Sequence, residues 1–158
     1  DNSTPQMKLL SLFALILLLF GCSDSSPDSK VAKHMPAPEL EGILVTSSAP
    51  VAIANLQEQS VYLYFLPIDC ETCWKTLVQA EKLREQTLVV GVVTSTDNFA
   101  VYEKARSHFL NLLPVYADHD ENIAYDYDVE QSPLWVTIEN GLITSRSRTA
   151  PTAVGLAQ

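Results

Sequence analysis

Two closely spaced cysteines, set between an apolar run and a helical pattern, constrain this chain more than any other feature. Residues 60–83 read SVYLYFLPIDCETCWKTLVQAEKL. The first eight are aromatic-rich and nearly all apolar, the pattern of a strand buried on both faces. From Glu71 onward, Trp74, Leu77, Val78 and Leu83 recur at helical spacing, and Glu71 and Lys75 are placed as an i,i+4 pair. Cys70 and Cys73 stand at the junction. Such a pair can exchange electrons, supply half of a metal site, or simply pack. The third cysteine, Cys22, helps to decide.

Residues 9–20, LLSLFALILLLF, form an apolar run, with Ser11 its one polar residue, behind Met7 and Lys8. The run is shorter than the roughly 20 residues that a bilayer span needs. A basic residue, a short apolar stretch and small residues at its end describe an export signal. No polar face interrupts the run, which disfavours a buried core helix. Residues 1–6 are polar and precede Met7, so they read as an upstream extension, with residues 7–21 as the signal. Residues 19–22, LFGC, resemble the lipobox of bacterial lipoproteins, with an apolar residue three before the cysteine and a small one directly before it. That resemblance implies cleavage before Cys22 and acylation of its sulfur and amine. Several acyl chains anchor a protein stably where one binds only marginally. Ser23, rather than Asp, follows the cysteine, which in a Gram-negative cell leans toward the outer membrane. The expectation is a lipid-anchored envelope protein facing the periplasm.

With 158 residues the chain has room for one domain and a tail. A hydrophobic fraction of 47% against 18% charged residues permits a substantial core. The net charge is −9, and Asp1 and Lys8 cancel, so the part after the signal keeps that acidity. Acidic surfaces suit neither nucleic acid nor anionic headgroups, so membrane attachment falls to the lipid. With Cys22 acylated, Cys70 and Cys73 become a closed pair in an oxidising or redox-buffered compartment.

Residues 22–37 contain Pro27 and Pro36 and no periodicity, and read as the lipidated cysteine and a flexible tether, with His34 and Met35 solvated. The domain is expected over residues 38–158. It opens with a short hairpin and a helical turn over residues 38–56. Residues 87–96 give a second buried strand, and Asp97 can cap a helix whose apolar face holds Phe99, Tyr102, Ala105 and Phe109. A short strand at 114–117 and a short acidic helix follow. Residues 133–149 close with two strands around Asn140-Gly141, the strongest short hairpin signal. Residues 150–158 leave room for one or two helical turns where a covering helix is expected. This alternation predicts an α/β fold, a central mixed sheet with helices on both faces and an N-terminal β-hairpin extension.

The helix dipole and free N–H groups at a helix start favour a thiolate at Cys70. A two-residue spacer lets Cys73 reach back, close a disulfide and resolve a mixed one. Strand, Cys-x-x-Cys, helix is the context that reads as a redox motif. Cys70-Glu71-Thr72-Cys73, with Ser132-Pro133 downstream before a strand, resembles the thioredoxin superfamily. Residues 35–40, MPAPEL, and residues 114–143 are similar to its TlpA/ResA branch, which is shared with AhpC/TSA-type peroxiredoxins. The resemblance implies a thioredoxin-like thiol–disulfide oxidoreductase that needs no cofactor beyond the Cys70–Cys73 pair. It also implies a cis Pro133 facing that pair, with Ser132 lending a backbone edge. X–Pro bonds accept the cis form at small cost. Expected partners are protein thiols and disulfides and a membrane or periplasmic redox donor, with the protein itself a monomer. Trp74 is placed to shape the partner groove. Asp69 and Glu71 flank Cys70, and carboxylates there disfavour the thiolate, making the pair a better reductant.

Other readings are weaker. A zinc site wants four ligands, and neither His108 nor His119 forms a spaced partner motif. A peroxidase would place Thr or Ser three residues before its reactive cysteine, where Pro67 stands before Cys70. Asp118, Asp120 and Asn122 match the first ligand positions of a calcium loop, but Ile123 replaces its glycine and Val129 its closing glutamate. Helix capping and solvation explain that acidic run better. A non-catalytic scaffold lipoprotein on the same fold is the remaining alternative.

Overall fold

The computed structural model describes residues 34–156. The upstream extension, the signal, Cys22 and nearly all of the tether lie outside them. Chain order is β1 (Met35–Pro36), β2 (Ile43–Leu44), β3 (Val61–Pro67), α1 (Glu71–Lys82), β4 (Leu88–Thr94), α2 (Asn98–Ser107), β5 (Val115–Asp118), α3 (Asn122–Asp126), β6 (Leu134–Glu139) and β7 (Leu142–Ser147), with 3-10 turns at Ile53–Asn55 and Thr152–Val154. The strands make one sheet in the order β1-β7-β6-β3-β4-β5-β2. β3, β4 and β5 run parallel, and every other pairing is antiparallel.

β3 is the middle strand, and its side chains alternate between two cores. Tyr62, Tyr64 and Leu66 point to the face covered by α1 and α2, where Trp74, Leu77, Val101 and Ala105 pack. Val61, Leu63 and Phe65 point to the other face, against Ile53, Ile123 and Tyr127. Burying each such large apolar side chain contributes roughly 1.5–3 kcal/mol, which is why a run apolar on both sides takes the central position. α1 sits close to the sheet because Gly91 on β4 leaves space for Leu77; a Cβ there would come within 2.9 Å of the leucine's Cδ1. Asn140 and Gly141 both have positive φ, at 51° and 73°, and link β6 to β7 in the tight turn their residue types predict.

Three expectations need correction. The N-terminal segment is not a hairpin, since β1 pairs with β7 at one edge of the sheet and β2 with β5 at the other. Each two-residue strand covers backbone groups that an edge strand would otherwise expose. Met35 and Pro36, which the sequence reads as tether, are paired residues of the sheet. The buried face of α2 is Val101 and Ala105, whereas Phe99, Tyr102 and Phe109 are exposed. Small residues let this helix approach the sheet closely. Phe109 falls beyond the helix end at φ 59°, so its side chain is turned away from the helical stripe.

Candidate functional site

Pro67 ends β3 and a turn follows, closed by the Cys70 N–H donating to the Pro67 carbonyl at 3.3 Å. Cys70 is the N-cap of α1, with extended backbone angles and a sulfur that accepts from the Cys73 N–H at 3.2 Å. Its carbonyl accepts from the N–H groups of Cys73 and Trp74. The Cys73 N–H, an orphan donor of the first turn, is thus turned on Cys70, and the Trp74 N–H makes the first i→i−4 bond of the helix. Cys70 and Cys73 form a disulfide with Cα atoms 5.2 Å apart. Cys73 is 2% exposed and packs among the apolar side chains under α1, while Cys70 is partly exposed.

The Ser132–Pro133 peptide is cis, and both residues are exposed. β6 starts one residue later, with Leu134 paired to Phe65 and Trp135 to Tyr64. That register puts the Ser132–Pro133 loop beside the end of β3, the end from which the turn to Cys70 departs. Residues 60 or more positions apart in sequence thereby share one end of the sheet. Ser132 also borders an open cleft of about 1120 Å³, lined further by Phe65, Thr94 and five carboxylates between Asp120 and Glu130.

Trp74, which the sequence places at a partner groove, has no exposed surface. Its indole is fully buried, donates Nε1–H to the Ile68 carbonyl at 2.7 Å and stacks on the ring of His108, with centroids 5.6 Å apart. It is a strut beneath the site that ties the Cys70 turn to α1.

Glu71 is not paired with Lys75 within ion-pair distance. Its Oε1 accepts from His108 Nε2 at 2.7 Å, and its Oε2 lies 4.0 Å from Lys104 Nζ. The end of α2 presents both groups to the first residue of α1, so the contact across helices displaces the one along the helix. The hydrogen bond from His108 holds the Glu71 carboxyl below its ordinary value; slight burial opposes this, and the charges of His108, Lys104 and Lys75 add to it. A lowered carboxyl favours the folded state above the unfolded group's titration range. That contribution is lost as pH falls through the lowered folded value. Asp69, on the other flank of Cys70, is exposed.

The acidic segment after β5 is organised by Asp118, which is buried. Its two oxygens accept from the N–H groups of Ile123 and Ala124, both at 3.0 Å. With both oxygens engaged by the backbone, Asp118 acts as a cap for α3. Asp118→Asn turns an amide N–H toward a backbone N–H and removes charge-assisted bonds. A loss of about 1.5–3 kcal/mol in urea unfolding is expected. An unchanged midpoint with an unchanged slope would contradict this assignment.

His108 is the site neighbour that sequence reasoning passed over, because its role depends on a contact 37 residues away. The only local signal was a histidine at the C-terminal end of a helix.

No protein-family model and no curated protein sequence matches the chain. Solved structures do share its fold. One is a thioredoxin-like protein solved in its oxidised form, with a TM-score of 0.60 and 20% identity over 75% of this chain and 86% of that one. Another is a secreted Mycobacterium tuberculosis disulfide oxidoreductase described as homologous to E. coli DsbE, with a TM-score of 0.53 and 21% identity over 69% and 84%. A third is the exposed lipoprotein thioredoxin of Streptococcus pneumoniae, with a TM-score of 0.62 and 17% identity over 73% and 93%. The chain therefore has a thioredoxin-like fold, a mixed sheet with helices on both faces. On that fold, a Cys-x-x-Cys disulfide sits at the N-terminus of α1.

Proposed function

We propose that the chain is a thiol–disulfide oxidoreductase of the bacterial envelope that reduces disulfides in partner proteins. The observation that carries this reading is the asymmetry of the pair, with Cys70 reachable at a helix N-terminus and Cys73 buried one turn behind it. In the reduced protein the Cys70 thiolate attacks one sulfur of a partner disulfide, forming a mixed disulfide and releasing the other sulfur as a thiolate. Cys73 then attacks Cys70, the Cys70–Cys73 disulfide closes, and the second partner sulfur leaves. Two electrons pass from the pair to the partner, and each released thiolate takes up a proton. A dithiol donor in the membrane or periplasm restores the reduced pair, so no dissociable cofactor is required. Pro133 and Ser132 border the place where the partner's backbone docks.

The envelope setting draws on the apolar leader and Cys22, and on neighbours described as secreted or as an exposed lipoprotein. The reducing direction draws on Asp69 beside Cys70. Glu71 adds less to it than its position suggests, because His108 offsets its charge. Two measurements test the reading. Equilibration with glutathione is expected to give a potential below about −200 mV, on the reducing side of the strong oxidants; a value near about −120 mV would reverse the direction. Cys73→Ser is expected to trap partner proteins on Cys70 as mixed disulfides. If nothing is trapped and no model disulfide is reduced, the fold serves as a scaffold.

A further inference from the structure

We infer that His108 is a positioning residue that holds the Glu71 carboxylate in an ion pair and so governs how readily Cys70 ionises. This rests on the oxidoreductase reading of the pair. The ring of His108 has no freedom to choose its partners. Nδ1 lies 2.8 Å from the Lys104 carbonyl, which can only accept, so Nδ1 carries a hydrogen. The nearby Ser107 hydroxyl donates its own hydrogen to that carbonyl and leaves a lone pair toward Nδ1. Nε2 lies 2.7 Å from Glu71 Oε1, so a proton sits between them. With a hydrogen on each ring nitrogen the imidazole is a cation, so it and the carboxylate together carry no net charge.

The pair is also fixed in space. The His108 side chain is only 13% exposed and lies flat on the Trp74 indole, with 14° between the planes. Trp74 in turn is bonded to Ile68, two residues before Cys70. Cys70, Glu71, His108, Trp74 and Ile68 thus close a ring of contacts in which His108 is the one residue from α2 or its cap. The other charged groups facing Glu71 are Lys104 from α2, at 4.0 Å and largely exposed, and Lys75 from α1, at longer range. Glu103 on α2 is engaged with Arg106, and Asp69 lies on the opposite flank of Cys70. Without His108 the carboxylate beside Cys70 is opposed only by solvated lysines. Unopposed negative charge next to a thiol disfavours its ionisation.

The test is the rate at which Cys70 of the fully reduced protein reacts with iodoacetamide as pH is varied, in wild type, His108→Gln, Glu71→Gln, the double variant and His108→Arg. At pH 7, His108→Gln is expected to slow alkylation by roughly threefold to tenfold, as expected for one partly solvated charge on the residue adjoining Cys70. In the Glu71→Gln background the same change moves the rate by less than about twofold, because there is no carboxylate left to release. His108→Arg restores a cation and returns the rate to within about twofold of wild type. An equal slowing by His108→Gln in both backgrounds would mean that His108 acts on the thiol without Glu71, and the proposal fails. No slowing in the single variant also overturns it. If His108→Gln loosens the domain, buried Cys73 becomes reactive as well; recovery by His108→Arg then decides between charge and packing. Alkylation reads ionisation without turnover, so its outcome stands whether or not model disulfides are reduced.

Discussion

Cys70→Ser is expected to abolish the reduction of a model disulfide, lowering the rate by about a thousandfold or more. A serine hydroxyl is barely ionised near neutral pH and forms no stable bond to sulfur, so neither attack nor mixed disulfide occurs. The exposure difference makes a second, separable expectation. Limiting alkylating reagent should label Cys70 of the reduced wild-type protein and leave Cys73, which is 2% exposed, unmodified until the domain is unfolded. The fold should survive the substitution, because the Cys70 side chain contributes little burial and the Cys70 carbonyl still accepts the first helix N–H groups. Equal labelling of both cysteines, or residual turnover in Cys70→Ser, would place the attacking sulfur elsewhere.

Trp74→Ala should cost more stability than any other single change near the site. The indole is fully buried, its removal leaves a cavity between α1 and the sheet, and the Ile68 carbonyl loses its donor. Large-to-small changes of this kind cost about 3–5 kcal/mol, a large share of the stability of an ordinary domain. Trp74→Phe keeps most of the volume but not the hydrogen bond, and should cost about 1–3 kcal/mol. Urea unfolding of the oxidised proteins measures both. A loss below about 1 kcal/mol for Trp74→Ala would show that the turn before Cys70 is held by other contacts. Because His108 rests on this indole, the phenylalanine variant should also loosen the Glu71–His108 contact.

Much of the site was legible because its signals are local. The apolar run at Val61–Pro67, the cysteine spacing and the 3.6-residue recurrence after Glu71 report neighbouring residues along the chain, and all three appear as read. The Asn140-Gly141 turn was legible for the same reason, since positive φ is a property of those residue types. The apolar face of α2 was misread because aromatic residues at helical spacing look like a core stripe. The sheet beneath it has room for Val101 and Ala105, and the larger rings stay outside. β1 and β2 are too short to show any period, and their places depend on which edges β7 and β5 leave open.

By itself the sequence determined the strand, the cysteine pair and the helix that follows it, because hydrogen bonding and side-chain period within a dozen residues are sufficient for that. The tertiary structure alone decided which charges surround the pair. Glu71 had an i,i+4 lysine within its own helix, yet it is matched by His108 from the end of α2, and Trp74 is buried under the site with its indole bonded to Ile68. Packing two helices on one sheet face brings those groups within hydrogen-bond distance, and no periodicity along the chain encodes that distance.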